Sequence, residues 1–362
     1  MALRLGTVFS GIGAPEEALK KMGVDFITAF ACDNGERTLK QTRKEIQSML
    51  ESVSQEEHID FIKQLYIKSC GENKVEKTYM DNHAKHTKQF VQDIRFFSPQ
   101  SPLDMLVGGS PCQSFSAAGY RRGFQEERGQ LFFDYIRVIK SAKPSVFVFE
   151  NVPNIEKHDN GKTWEIISQE FNDLDYTWEK SILNAKDYGL PQNRKRLFVV
   201  AFRSDLAKYA KQFAWPSKKK LQTTTKDFLL HPKEVPNKYY LPIKGFLRCI
   251  NPKNNKYLVV NSTVSRTQVA NQQYNWYGDM RFETDLSEKV LGDDRIHKGN
   301  YKDTFGAMRT LTPHECLRLM GFSNSFKLAV GGKVAYRQSG NSIAVPVLEN
   351  IFESIFETGV FL

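Results

Sequence analysis

The sequence predicts an α/β fold, with a Rossmann-like, mostly parallel sheet followed by a second, smaller, irregular β-rich domain. Three observations carry that expectation. The chain opens as strand, glycine turn, helix, strand. Two later apolar runs, Leu103 to Val107 and Val146 to Phe149, stop at short polar motifs, SPCQ and ENV. From about Ser204 to Ala307 the pattern breaks into short β-like pieces punctuated by Pro216, Pro232, Pro236, Pro242 and Pro252.

Arg4 to Phe9 is extended and apolar, Ser10 to Gly13 is the turn, Ala14 to Met22 has helical spacing, and Phe26 to Ala31 is a second strand. A βαβ opening of this kind asks for a parallel sheet with covering helices. Glu36 to Gln89 is charged, with Ile46, Met49, Leu50, Ile59, Ile62 and Leu65 at intervals, and is expected to be a helical insert on the surface. A helix is expected from Leu131 to Ser141. Ser181 to Ala185 and Arg196 to Phe202, joined by KDYGLPQNRK, read as a hairpin at the sheet edge. Helical order returns at Thr312, which can cap, with Pro313 in the first turn and Glu315 as acidic partner.

A chain of 362 residues suits roughly two domains. No apolar run approaches the roughly 20 residues needed to cross a membrane, and the N-terminus lacks the pattern of a secretory signal, so a cytoplasmic protein is expected. The five cysteines are odd in number and scattered, which argues for reduced thiols, no disulfide and no metal. The net charge of +10 decides little, but from Lys208 to Lys256 twelve basic residues face only Asp227 and Glu234. A polyanionic partner suits that stretch, as does a solvated loop.

The turn Phe9-Ser10-Gly11-Ile12-Gly13 stands where glycines let a cofactor approach the backbone at a helix start, although it is not a full GxGxxG. Asp33, past the second strand, suits a ribose-binding carboxylate or an ordinary surface aspartate. Cys112 follows Gly108-Gly109-Ser110-Pro111 at a strand end, where a structural thiol is not expected. An ordinary thiol is only about 3% ionised at pH 7, so a nucleophilic role needs positive potential nearby. Glu150 closes the apolar run VFVFE and suits a proton donor or a helix cap. Arg194 and Arg196 alternate onto one face of a strand, as a carboxylate or carbonyl clamp or as a surface ladder. Ser114 to Gly129 holds Gly119, Gly123 and Gly129 with Arg121, Arg122 and Arg128, which reads as a hinged basic lid.

The order FSGIG, CD, QDI, GGSPCQSFS with GYRRGFQEERGQLFFD, ENV, LNAKDYGLPQNRKR, RTLTPHECLRLMGF and AYRQSGNSIAVPVLENI closely resembles the bacterial DNA cytosine-5 methyltransferases. The resemblance covers residues 1–203 and 307–356 apart from the helical insert. It implies the S-adenosylmethionine-dependent methyltransferase fold, with S-adenosyl-L-homocysteine as product. It divides the chain into a catalytic and cofactor domain over 1–203, with the insert at about 36–89, a target-recognition domain over 204–307, and a segment 308–362 returning to the catalytic domain. The cofactor residues it implies are Phe9, Gly11, Ile12, Gly13, Asp33, Asp93 and Ile94, with Asn341 and Ser342 returning from the C-terminus. It makes Cys112 the nucleophile, Glu150 the acid at ring nitrogen 3, Arg194 the partner of the cytosine carbonyl, and Arg196 a support for Glu150 or the lid.

The implied partner is double-stranded DNA with the target base extruded. The chain is expected to be a monomer, and a restriction endonuclease reading the same site without a stable complex would be its functional counterpart. DNA contacts are expected from Ser116, Arg121, Arg122 and Arg128 in the lid and from Arg266, Gln268 and Arg281, types that read base edges. Ala117 and Ala118 follow Ser116, where family members often carry a longer polar side chain, so the residue filling the vacated base-pair gap is expected elsewhere. An RNA-directed cytosine-5 methyltransferase and a non-catalytic DNA-binding protein are the alternatives. The variable region of roughly 100 residues argues against the first, and the intact motif cysteine and glutamate against the second.

Overall fold

The computed structural model describes residues 2–110, 127–273 and 276–362. Cys112, Ser116, Arg121 and Arg122 lie outside the described residues, as does the side chain of Arg128. The chain divides into two compact units. The first comprises residues 1–183, 195–217 and 347–362, and the second 184–194 and 218–346.

The first unit is built on β1 (Leu3–Val8), α1 (Ala14–Lys21), β2 (Phe26–Cys32), α2 (Arg43–Leu50), α3 (His58–Cys70), α4 (Lys74–His83) and β3 (Phe90–Val91). It continues through β4 (Met105–Gly108), α5 (Glu127–Ala142), β5 (Val146–Asn151), α6 (Lys162–Asn172), β6 (Tyr176–Asn184) and β7 (Lys195–Arg203). The strands form one sheet in the order β3-β2-β1-β4-β5-β7-β6. The pairs β1 with β2, β2 with β3, β1 with β4 and β4 with β5 are parallel, whereas β7 runs antiparallel to β5. The edge hairpin expected from the sequence is therefore β6 and β7. Strand β4 is buried at every position and β5 at all but Glu150, which is why they read as unbroken apolar runs. On α5, Phe132, Tyr135, Ile136, Ile139 and Ala142 recur at helical spacing and pack with Phe147, Phe149, Ile167 and Phe171 into the main core.

The expected surface insert is the crossover from β2 to β3. Its helices carry charge outward, yet they bury Ile46, Leu50, Ile62, Tyr66, Thr78, Tyr79 and His83. Thr42 and Glu45 form a capping box on α2, and Asn73 caps α4.

The second unit holds β8 (Leu258–Val260), β9 (Gly278–Glu283), β10 (Lys298–Tyr301) and β11 (Thr304–Thr310), ordered β10-β11-β9-β8. Its division from the first unit differs from the sequence expectation in three places: residues 184–194 and 308–346 group with it, and 204–217 group with the first unit. The cause lies in β11, which pairs with β9 across residue 307, and in Arg309, wholly buried and ion-paired with Glu283 and Glu315, each at 2.9 Å. Thr312 and Glu315 then form the capping box expected for the helix Pro313–Arg318.

Candidate active site

In the first unit, β1 ends in a turn that an all-L chain adopts reluctantly. Phe9 has φ 52°, Gly11 φ 53° and Gly13 φ 88°, so three residues of the turn lie in the left-handed region. The non-glycine Phe9 is held there by its neighbours: Ser10 N–H donates to the Cys32 carbonyl at 3.1 Å, and Ser10 Oγ accepts from Cys32 N–H at 2.9 Å. Ile12 is buried, and α1 begins immediately beyond Gly13.

Asp33 braces this turn against the one that follows β2. Its Oδ2 accepts from Gly11 N–H at 2.9 Å and its Oδ1 from Gly35 N–H at 2.7 Å. Burial raises the carboxyl above its ordinary value of 3.8, and the two N–H donors oppose that rise. A Cβ added at Gly11 would meet nothing within 4 Å, so the turn borders open space beside a carboxylate. Phe9, Gly11 and Asp33 thus form a cradle with room for a ligand and an acceptor for its hydroxyls, while Gly13 is packed against His83.

Asp93 and Ile94 follow β3 and are both nearly fully buried. The Asp93 carboxylate is ion-paired with Arg95 at 2.8 Å and accepts from Tyr66 Oη at 2.7 Å. The Ile94 carbonyl accepts from Arg137 of α5.

Strand β4 ends in Gly108 and Gly109, and both glycines are demanded by their neighbours. A Cβ at Gly108 would stand 2.4 Å from Val8 Cγ2, and one at Gly109 2.1 Å from the Glu150 carbonyl oxygen and 3.2 Å from Glu150 Oε2. The carboxyl of Glu150 therefore borders the turn that leads toward residue 112. Asn151 Nδ2 ties that turn down by donating to the Ser110 carbonyl at 3.1 Å.

Glu150 faces Phe198 across the antiparallel β5–β7 ladder, which puts Arg196 on the diagonal of the same face. Arg196 Nε meets Glu150 Oε1 at 3.0 Å, with side chains 16% and 17% exposed. The two expected arginines part company here. Arg194 belongs to the second unit, is 3% exposed, and donates to the carbonyls of Gln268 at 2.7 Å, Gly340 at 3.1 Å and Ser342 at 2.6 Å. A guanidinium committed to three main-chain carbonyls is a structural clamp, so its expected place at the cytosine carbonyl is corrected.

Of the expected base readers, Gln268 is buried as Arg194 is, whereas Arg266 and Arg281 are half-buried and hold carbonyls. Gln268 is 4% exposed, and its Oε1 accepts from Gln272 Nε2 at 3.1 Å. Arg266 donates to the carbonyls of Lys256 and Asn255, and Arg281 to that of Ser262. These side chains hold an irregular backbone that lacks long ladders. Ser342 is nearly buried and Asn341 exposed, both in the second unit. Gln192 was not singled out from the sequence. It is wholly buried, donates to the Leu319 carbonyl at 2.8 Å and accepts from Gln268 N–H at 3.0 Å.

Residues 62–357 match the family model described as C-5 cytosine-specific DNA methylase. The type II methyltransferase M.HhaI of Haemophilus parahaemolyticus is 33% identical over 80% of this chain and 90% of its own. M.SsoII of Shigella sonnei is 36% identical over 70% of this chain and 64% of its own. Among solved structures, the methyltransferase EhMeth of Entamoeba histolytica has the same fold with a TM-score of 0.66 at 15% identity, covering 99% of this chain and 98% of its own. Spodoptera frugiperda DNMT2 gives 0.64 at 19% identity, covering 98% of this chain and all of its own.

Proposed function

The chain belongs to the C-5 cytosine-specific DNA methylase family and uses S-adenosylmethionine to methylate cytosine in DNA, and we propose that it does so through Cys112, Glu150 and Arg196. The observation that carries this reading is the Glu150–Arg196 pair, set at the end of β5 beside the glycine turn that leads to Cys112. Of the other thiols, the three buried ones make poor nucleophiles. Burial pushes Cys32 and Cys316 well above the ordinary thiol range and Cys249 up to about 11, and Cys70 donates to the Thr38 carbonyl.

Cytosine carbon 5 is a weak nucleophile until a thiolate adds at carbon 6. In the proposed mechanism Cys112 gives its thiol proton to solvent and Sγ forms that bond, while Glu150, in its protonated form, passes a proton to ring nitrogen 3 so that the electron pair is not stranded in the ring, and takes it back when Cys112 leaves. Arg196 orients the Glu150 carboxyl and takes the cytosine carbonyl, the role the sequence assigned to Arg194. Phe9, Gly11, Ile12, Gly13, Asp33, Asp93 and Ile94 would hold S-adenosylmethionine, which would supply the electrophilic methyl group and leave as S-adenosylhomocysteine. Removal of the carbon 5 proton then expels Cys112 and restores the aromatic ring. The chemistry requires the cytosine out of the duplex stack, at a cost of a few kcal/mol. Asn341 and Ser342 are proposed as the C-terminal part of the cofactor site on their motif alone.

The resemblance to type II enzymes further suggests a monomer working in the cytoplasm beside an endonuclease that reads the same site. Among the described residues no helix is long and apolar enough to cross a membrane.

The test is methyl transfer from labelled cofactor to duplex DNA and to transfer RNA, with methylcytosine mapped by sequencing. Label is expected in DNA at one short sequence, and label confined to RNA would sink the DNA reading. Cys112→Ser is expected to lose turnover and the covalent adduct with 5-fluorocytosine DNA. An adduct that persists would remove Cys112 from its role.

A further inference from the structure

Asp33 and Asp93 follow neighbouring strands, but β3 is only two residues long and pairs with β2 through Ala31–Phe90 and Cys32–Val91. So short a ladder is a weak constraint on side chains beyond it. Beside the bonds from Gly11 and Arg95, further constraint comes from the crossover, α2 to α4, and it falls on both residues.

Asn73, 5% exposed, works in two directions. Its Oδ1 caps α4 by accepting from Val75 and Glu76 N–H, and its Nδ2 donates to the Asp33 main-chain carbonyl at 2.8 Å and to Gln92 Oε1 at 3.0 Å. Gly35, whose N–H holds the Asp33 carboxylate, sits directly against it: a Cβ there would stand 2.3 Å from Asn73 Oδ1. From α3, the wholly buried Tyr66 donates to Asp93 Oδ2 at 2.7 Å, and Arg37 stacks over its ring at 4.7 Å. Arg37 also donates to Gln92 Oε1, while Gln92 Nε2 donates to Glu76 of α4 at 2.9 Å. Hydrogen bonds joined by the Arg37–Tyr66 stack thus fix Asp33 through its backbone and Asp93 through its side chain.

We propose that Asn73 and Tyr66 are positioning residues for S-adenosylmethionine, setting the placement of Asp33 and Asp93 and with it the affinity for the cofactor. The inference rests on the reading of those two aspartates as cofactor ligands. The crossover is then the back wall of the cofactor site, joined to it by side chains that touch neither cofactor nor cytosine.

The test is equilibrium binding of S-adenosylhomocysteine to the full chain, with steady-state methylation of duplex DNA. Asn73→Asp keeps acceptor oxygens for the α4 cap and removes the donor to Asp33; Asn73→Ser keeps a cap and falls short of Asp33. Tyr66→Phe removes one hydroxyl. Each is expected to weaken binding, by about tenfold for the Asn73 variants and about fivefold for Tyr66→Phe. KM for the cofactor should rise in step, with kcat at saturating cofactor within about twofold of the parent. Lys77→Ala, exposed on the same helix, should bind as the parent does. Wild-type affinity in all three variants, with binding lost in Asp33→Ala, would overturn the proposal while leaving the cofactor reading intact. Undiminished binding by Asp33→Ala would overturn that reading and the inference with it.

Discussion

Arg309 in the second unit and Arg196 in the first are both paired with glutamate, and their surroundings differ in kind. Arg309 is wholly buried and closed by its own unit: Glu315 takes both terminal nitrogens at 3.0 and 2.9 Å, Glu283 takes Nε at 2.9 Å, and the Thr310 carbonyl takes a further bond. Arg194 is closed likewise, by three carbonyls. Arg196 and Glu150 keep part of their surface open at a strand end. A closed set satisfies its charges with the fold and offers a ligand nothing without breaking the fold. An open pair can exchange part of its hydration for a substrate, which is what a site requires.

Arg196→Ala should sharpen that contrast most. Loss of the group that orients Glu150 and meets the cytosine carbonyl is expected to lower kcat by about a hundredfold to a thousandfold. Thermal unfolding should fall less than on loss of a closed arginine, because the Glu150 carboxyl keeps part of its surface open to water. Single-turnover methylation with duplex DNA measures the first and calorimetry the second. Unfolding that falls steeply with little loss of kcat would place Arg196 with the closed arginines.

Arg194→Ala should do the reverse. Three carbonyls of the second unit lose their donor in a buried setting, at a cost of about 3 kcal/mol. Urea titration should show that loss, while the folded fraction keeps most of its kcat. A catalytic defect as large as that of Arg196→Ala in fully folded protein would break the distinction drawn from their partners.

That distinction was not legible in the string QNRKR, where two arginines on alternate positions share a face and a residue type. What separates them is the partner each meets: Gln268, Gly340 and Ser342 are 74 to 148 residues from Arg194 in sequence. Local patterns fared better. The strand runs, the α5 periodicity and the Thr312–Glu315 capping box depend on neighbours a few residues apart, and each appears close to its expected place. The glycine turn and Asp33 were legible because φ > 0 and a strand end leave a sequence mark. Gln268 misled because an amide that props up irregular backbone has the composition of one that reads a base. Asn73 was not legible as a brace, since its partner Asp33 lies 40 residues away.

The smallest expected effect concerns two carboxyls, each in the first turn of a helix and each wholly buried. Glu315 has Arg309 as counter-ion. Glu16 of α1 has no ion pair among the described residues; it accepts from Thr7 Oγ1 at 2.9 Å, from Tyr79 Oη at 2.8 Å and from a backbone N–H. Burial without a cation raises Glu16 from 4.5 to about 7, against the opposing pull of those hydroxyls. Between these values the folded chain holds a proton that the unfolded chain has released. The stabilisation is therefore complete below about pH 4.5 and is lost as the pH rises through 7, with a slope of at most about 1.4 kcal/mol per pH unit. Glu16→Gln cannot ionise, so its unfolding free energy should fall less than that of the parent between pH 5 and 7.5, by on the order of 2 kcal/mol. His83, held neutral by burial down to about pH 3, pulls the profile the other way below pH 6.5, but it is present in both proteins and cancels in the difference. Parallel profiles from urea titrations across that range would mean that Glu16 is as well compensated as Glu315, and that the first unit closes its buried charges as the second does.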